Sequence, residues 1–134
     1  MSIIVEKLKS VPNLLHLNGC VTSQIRDAQQ ALGIVFPEEY VEYVKEFGAV
    51  SFYGTEWTGL NVSGSLNVVT ATMQERQLDS SFPNDVFLLE NIGVDGLMIV
   101  MGEDGKIYSF QHGKKAFLCN SLCEYLDLCV NRKK

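Results

Sequence analysis

The feature that most constrains this chain is a change of periodicity at Gly48. Upstream, Phe36-Pro37-Glu38-Glu39-Tyr40 opens a segment in which Tyr40, Val41, Val44 and Phe47 recur at helical spacing. Proline suits the first helical position, because its missing N–H would find no intrahelical partner there. Glu38 and Glu39 favour the positive end of the helix dipole. Downstream, apolar residues gather into short runs separated by glycine, asparagine and aspartate, the pattern of strands and turns. A chain that passes from helices to strands at one point belongs to the α+β class.

The remaining elements follow from local chemistry. The first twenty residues mix apolar and basic positions and can begin with a short helix. A helix is expected over Ser23 to Leu32, capped by Thr22 or Ser23 and stopped by Gly33, with Ile25, Ala28, Gln29 and Leu32 on one face so that only a narrow stripe is buried. Strands are expected at 50–53, 56–60, 86–90, 96–101, 107–111 and 116–119, and a short threonine-capped helix over Thr70 to Leu78. Asp104-Gly105 divides Leu97–Met101 from Ile107–Gln111 and is the strongest hairpin signal. Ser121-Leu122-Cys123-Glu124 matches a capping box ahead of a last helix, whose C-terminus Arg132, Lys133 and Lys134 complement. The expected architecture is one domain over 1–134, with a largely antiparallel sheet flanked by N-terminal helices and a C-terminal helix. Helices should cover one sheet face and leave the other partly open.

Charge and composition narrow the function. With 134 residues, 46% of them hydrophobic, the chain can build a core without staples. Its net charge is −5 and the balance is uneven: from Asp27 to Asp104 thirteen acidic residues face two basic ones, Lys45 and Arg76. Such a balance argues against direct nucleic-acid binding through phosphate contacts. It suits either solvated helix faces or an acidic surface that speeds encounter with a basic partner. The longest apolar runs, such as Gly96–Gly102, are too short to span a membrane. Leu17-Asn18-Gly19-Cys20 resembles a lipoprotein cleavage site, but Glu6, Lys7, Lys9, Pro12 and His16 interrupt the apolar leader it would need. The cytoplasm is therefore the expected compartment, with thiols reduced.

Catalytic and metal signatures are absent. There is no phosphate-binding glycine loop, no nucleophile elbow and no paired metal-ligand spacing. Cys20, Cys119, Cys123 and Cys129 form no C-x-x-C pair and read as buried thiols; His112, Cys119 and Cys123 match no familiar zinc module. No catalytic residue, metal or cofactor is assigned. Trp57, within Gly54-Thr55-Glu56-Trp57-Thr58-Gly59-Leu60, admits two readings: a core tryptophan among turn glycines, or an aromatic interface anchor. If that segment is a strand, Glu56 should point away from Trp57.

The run Leu32-Gly33-Ile34-Val35-Phe36-Pro37-Glu38-Glu39-Tyr40, ending at Phe47-Gly48, resembles the opening motif of the SUKH superfamily of Smi/Knr-like domains. The Gly54–Leu60 segment, Arg76 and the Ser121–Leu126 helix fall in the expected order, and the resemblance covers about residues 20–131. Phe47 stands where the family usually has asparagine, which leaves the helix stop intact. The resemblance implies a non-catalytic protein-binding module. For the bacterial type, it implies an immunity protein that neutralises a cognate toxin domain, expected to be basic and often a nuclease. The alternative is a regulatory scaffold related to the yeast cell-wall regulator. The partner-binding residues expected on this reading are Glu38, Glu39, Glu56, Trp57, Thr58, Asp95, Glu103 and Asp104. The sequence assigns no oligomeric state.

Overall fold

The computed structural model describes residues 2–132; Lys133 and Lys134, expected to complement the last helix, lie outside the described residues. Five helices and seven strands follow in order: α1 Ile3–Lys9, β1 Leu15–His16, α2 Thr22–Leu32, α3 Glu38–Phe47, β2 Val50–Phe52, β3 Thr55–Trp57, α4 Val68–Leu78, β4 Val86–Asn91, β5 Met98–Gly102, β6 Ile107–Gln111, β7 Lys114–Cys119 and α5 Leu122–Arg132. The strands form an antiparallel three-stranded sheet, β1-β2-β3, and an antiparallel four-stranded meander, β4-β5-β6-β7. The α+β class and the antiparallel pairing read from the sequence are those observed.

Helix ends depart from expectation where a different residue does the capping. On α2, Gln24 Oε1 reaches back to accept the Val21 N–H at 2.9 Å, and neither Thr22 nor Ser23 serves as cap. Helix α4 begins two residues earlier than expected, because the Asn67 side chain accepts from the Val69 and Thr70 amides and outcompetes Thr70 as cap. The forward half of the α5 capping box forms, with Ser121 Oγ accepting the Glu124 amide, while Glu124 Oε1 accepts the N–H of Asn120, one residue before the cap. Gly48 and Gly59 let two backbone segments touch. A Cβ on Gly59 would sit 1.6 Å from the Gly48 carbonyl oxygen, and Gly48 itself has φ +73°. The α3 stop and the turn after β3 are therefore packed directly on each other.

The two sheets meet at the end of β3. Beyond Trp57 the Thr58 N–H donates to the Leu89 carbonyl at 2.8 Å, and the Thr58 hydroxyl donates to the Leu88 carbonyl at 2.7 Å. The pairing of β4 with β5 shifts register between Leu88 and Glu90, and Thr58 satisfies carbonyls at that irregularity. The Leu88 amide in turn donates to Thr72 Oγ1 on α4 at 3.0 Å.

The larger core places Phe87, Leu89, Ile99, Met101 and Ile107 from one face of the meander against α1, α2, α3 and α5. The opposite face was expected to be partly open. Most of it is covered: Val86, Leu88, Met98, Val100 and Phe110 pack with Ala71 of α4 and with Phe82. What stays uncovered is the β6–β7 end, where Phe117 lies edge-on to Tyr108 and is 57% exposed. The correction has a simple cause. Helix α4 lays Ala71 against this face and anchors to β4 through the Leu88–Thr72 hydrogen bond, so it packs on the sheet instead of extending into solvent.

Candidate functional site

Two of the eight expected partner-binding residues share a hairpin tip that is docked just ahead of a third, Glu38. The β5–β6 hairpin tip folds onto the entry to α3: Glu103 Oε2 accepts the Val35 N–H at 2.7 Å, and Gly105 sits over the Pro37 ring. The tip that carries Glu103 and Asp104 is therefore docked on the segment just before Glu38, and all three carboxylates are exposed. Asp104 also shapes the turn, accepting the Lys106 amide at 3.0 Å and the Tyr108 hydroxyl at 2.8 Å. Partial burial would raise its pKa, but those hydrogen bonds and the nearby Lys106 and Lys115 charges outweigh burial and hold the carboxyl below its ordinary value. Asp104 thus stays charged. Nothing at this corner combines a nucleophile with a base; what it presents is exposed negative charge.

Glu39 borders the corner but does a different job. Its two carboxylate oxygens accept the Leu122 and Cys123 amides, at 2.8 and 3.2 Å, and so cap α5 from another helix. Glu38, Glu39 and Glu42 line a cleft of about 450 Å³ between α3, α1 and the start of α5, with the exposed Ile3 at its edge. Burial, followed by the hydrogen bond and charge of Glu39, pushes the Cys123 thiol in this cleft up to about 11, so it is held as the unreactive thiol.

The other expected residues fall elsewhere. Trp57 is fully buried, stacked on Tyr125 at 6.0 Å and edge-on to Tyr43 at 5.4 Å. Of its two readings the core one holds, and Trp57 as an exposed anchor is corrected. Alternation along β3 decides this, since Thr55 and Trp57 face in while Glu56 faces solvent, as expected of a strand. Thr58 is also buried and serves the sheet junction. Besides its bonds to Leu88 and Leu89, its Oγ1 accepts the Tyr40 hydroxyl at 3.1 Å and its carbonyl accepts the Tyr43 hydroxyl at 2.8 Å. A residue with every polar group engaged inside the fold has none left for a partner. Glu56 faces a separate cleft of about 320 Å³ that it shares with Glu75 and Asn91. Asp95 occupies a left-handed turn before β5, with His112 Nε2 3.2 Å from its carboxylate. It stands beyond the opposite end of β5 from Glu103, with the whole five-residue strand between them.

Sequence reasoning missed Glu90. This carboxylate ends the buried run of β4, accepts the Tyr125 hydroxyl, and pairs with Arg132 at 2.9 Å, while Arg132 also donates to Thr55 Oγ1 at 2.7 Å. The signal was present: a charged residue closing an apolar strand must find a partner. The cluster ties the end of α5 to β3 and β4. Among the described residues, no three histidines, cysteines or carboxylates gather into a metal ligand set. His112 and Cys119 lie at opposite ends of β7, so the weakest metal alternative does not assemble. Among the described residues no helix is long and apolar enough to cross a membrane.

Comparison with protein families finds one whose model, described as SUKH_5, SMI1-KNR4 cell-wall, matches residues 1–131. No curated protein matches the chain.

Proposed function

The chain belongs to the SUKH_5 family, SMI1-KNR4 cell-wall, and from that premise we propose that it is a cytoplasmic immunity protein that binds and neutralises a toxin domain. The family implies no catalytic residues, so the function lies in a surface. The observation that carries this reading is the corner at which the Glu103–Val35 bond docks the acidic hairpin tip, Glu103 and Asp104, on the segment that leads into α3 at Glu38. A nuclease toxin must be basic where it holds phosphates, and an acidic inhibitor is steered to such a site and occludes it.

The corner also defines the test. Coexpression with the toxin domain encoded beside this gene should rescue growth. Glu103→Gln and Asp104→Asn keep the hydrogen-bond acceptors while removing charge. Combined with Glu38→Lys, they should abolish rescue without loss of soluble protein. Rescue by the triple variant equal to that of the parent would remove the corner from the interface. Absence of rescue by the parent, against each toxin encoded nearby, would favour the second reading. That reading is a regulatory scaffold, and the cell-wall description of the matching family is what supports it.

A further inference from the structure

We propose that β7 is a self-pairing edge, through which two copies of this chain join their meanders antiparallel about a two-fold axis near Phe117. β7 is the last strand of the order β4-β5-β6-β7 and pairs only with β6. Five of its six residues are exposed, with Phe117 57% and Leu118 38% accessible. An edge of this length and apolar content presents unpaired backbone groups that another strand can extend. Lysines commonly blunt such edges, but here Lys114 and Lys115 both sit at one end and leave Ala116, Phe117 and Leu118 bare.

Charge identifies a second copy as the occupant and sets its orientation. The end of β7 opposite the lysines runs into Asn120 and α5, where Glu124 stands exposed over the Asn120 amide. Parallel pairing would stack lysine on lysine. Antiparallel pairing centred on Phe117 places Lys114 of each copy across from Asn120 of the other, next to Glu124. The faces agree as well. Lys114 pairs with Gln111, on the same face of β6 as Ile107, and that is the face on which α5 packs. A two-fold axis perpendicular to the sheet keeps faces in register, so Lys114 and the other copy's Glu124 lie on one side. On the opposite side the two Phe117 rings meet, each resting on its own Tyr108, with Lys115 held over the Tyr108 ring at 4.5 Å.

Pairing of one six-residue strand buries less than the area of a standard interface, so the dimer forms only at high concentration. Sedimentation should show the mass rising from 14.9 kDa toward about 30 kDa between roughly 10 µM and 1 mM. Phe117→Asp should hold it at the monomer with an unchanged melting temperature. Lys114→Glu should weaken the dimer at least tenfold, and adding Glu124→Lys should restore it. Phe117→Cys should link two copies by a disulfide under mild oxidation, since residues paired at a two-fold sit within disulfide reach. A mass that stays monomeric at 1 mM overturns the proposal. So does a dimer indifferent to Phe117→Asp and Lys114→Glu, or one in which Phe117→Cys fails to cross-link.

Discussion

Trp57–Thr58 and Glu38–Glu103–Asp104 invert what their residue types suggest. The first pair contains the only tryptophan, flanked by a carboxylate and glycines, and looks like an interface. It is instead the seam of the molecule, where β3 hands its pairing over to β4 and three aromatic side chains, Tyr43 of α3, Phe52 of β2 and Tyr125 of α5, close around the indole. The second group consists of ordinary turn and helix-start acids, which usually do no more than stay hydrated. Folding brings them to one exposed corner because a single carboxylate–amide bond docks the hairpin tip on α3. An aromatic residue is informative about function only when the strand register leaves it outside. A charge becomes informative when the fold gives it neighbours of the same sign.

Truncating the seam should produce the largest effect. Trp57→Ala removes a fully buried indole and is expected to cost about 3–5 kcal/mol of stability. Thermal melting should shift sharply downward, while the fraction that remains folded binds its partner with unchanged affinity. A variant that melts like the parent but binds tens of times more weakly would reverse the assignment of the two regions.

Thr58→Val should have the next largest effect. The substitution keeps shape but removes the hydroxyl that donates to Leu88 and accepts from Tyr40. Two buried polar groups then lose a partner, and the expected loss is about 1–3 kcal/mol in denaturant unfolding. Thr58→Ser retains the hydroxyl and should recover much of that loss. Equal destabilisation by both variants would mean that the methyl group, and not the hydrogen-bond junction, holds the sheets together.

Local signals made most of the elements legible: the proline-started helix, the Asp104-Gly105 hairpin, the Ser121–Glu124 capping box and the antiparallel strand runs. What stayed hidden depended on contacts between distant residues. Nothing near Leu15 announces β1, which exists because Ser51 and Val50 offer it a ladder. Nothing near Glu39 says that its carboxylate caps a helix 83 residues later. The period-2 pattern placed Glu56 and Trp57 on opposite faces, but which face would be covered depended on the packing of α3 and α5. The acids of the corner were named from the sequence, whereas their meeting was not, since it rests on Glu103 reaching Val35.

The smallest change in stability, and the sharpest change in binding, is expected at the corner itself. Glu38→Lys alters an exposed side chain with no role in the core, so its unfolding free energy should move by less than about 0.5 kcal/mol. If the corner meets a basic partner, the same substitution should slow association several-fold. Raising salt from roughly 50 to 500 mM should erase most of that difference, because the Debye length falls from about 14 to 4 Å. Acid should do the same through Asp104. Its folded-state pKa lies below the ordinary aspartate value, so its contribution to stability is present above that value and is lost as pH falls through the folded pKa. The turn and the charge then fail together in acid, and Asp104→Asn should flatten the acid limb of the association rate while lowering the neutral-pH melting temperature slightly, by the stability the charged carboxylate contributes there. An association rate insensitive to Glu38→Lys, to salt and to acid would return all three carboxylates to the role of hydrated turn residues, leaving the corner no more than a place where a hairpin rests on a helix.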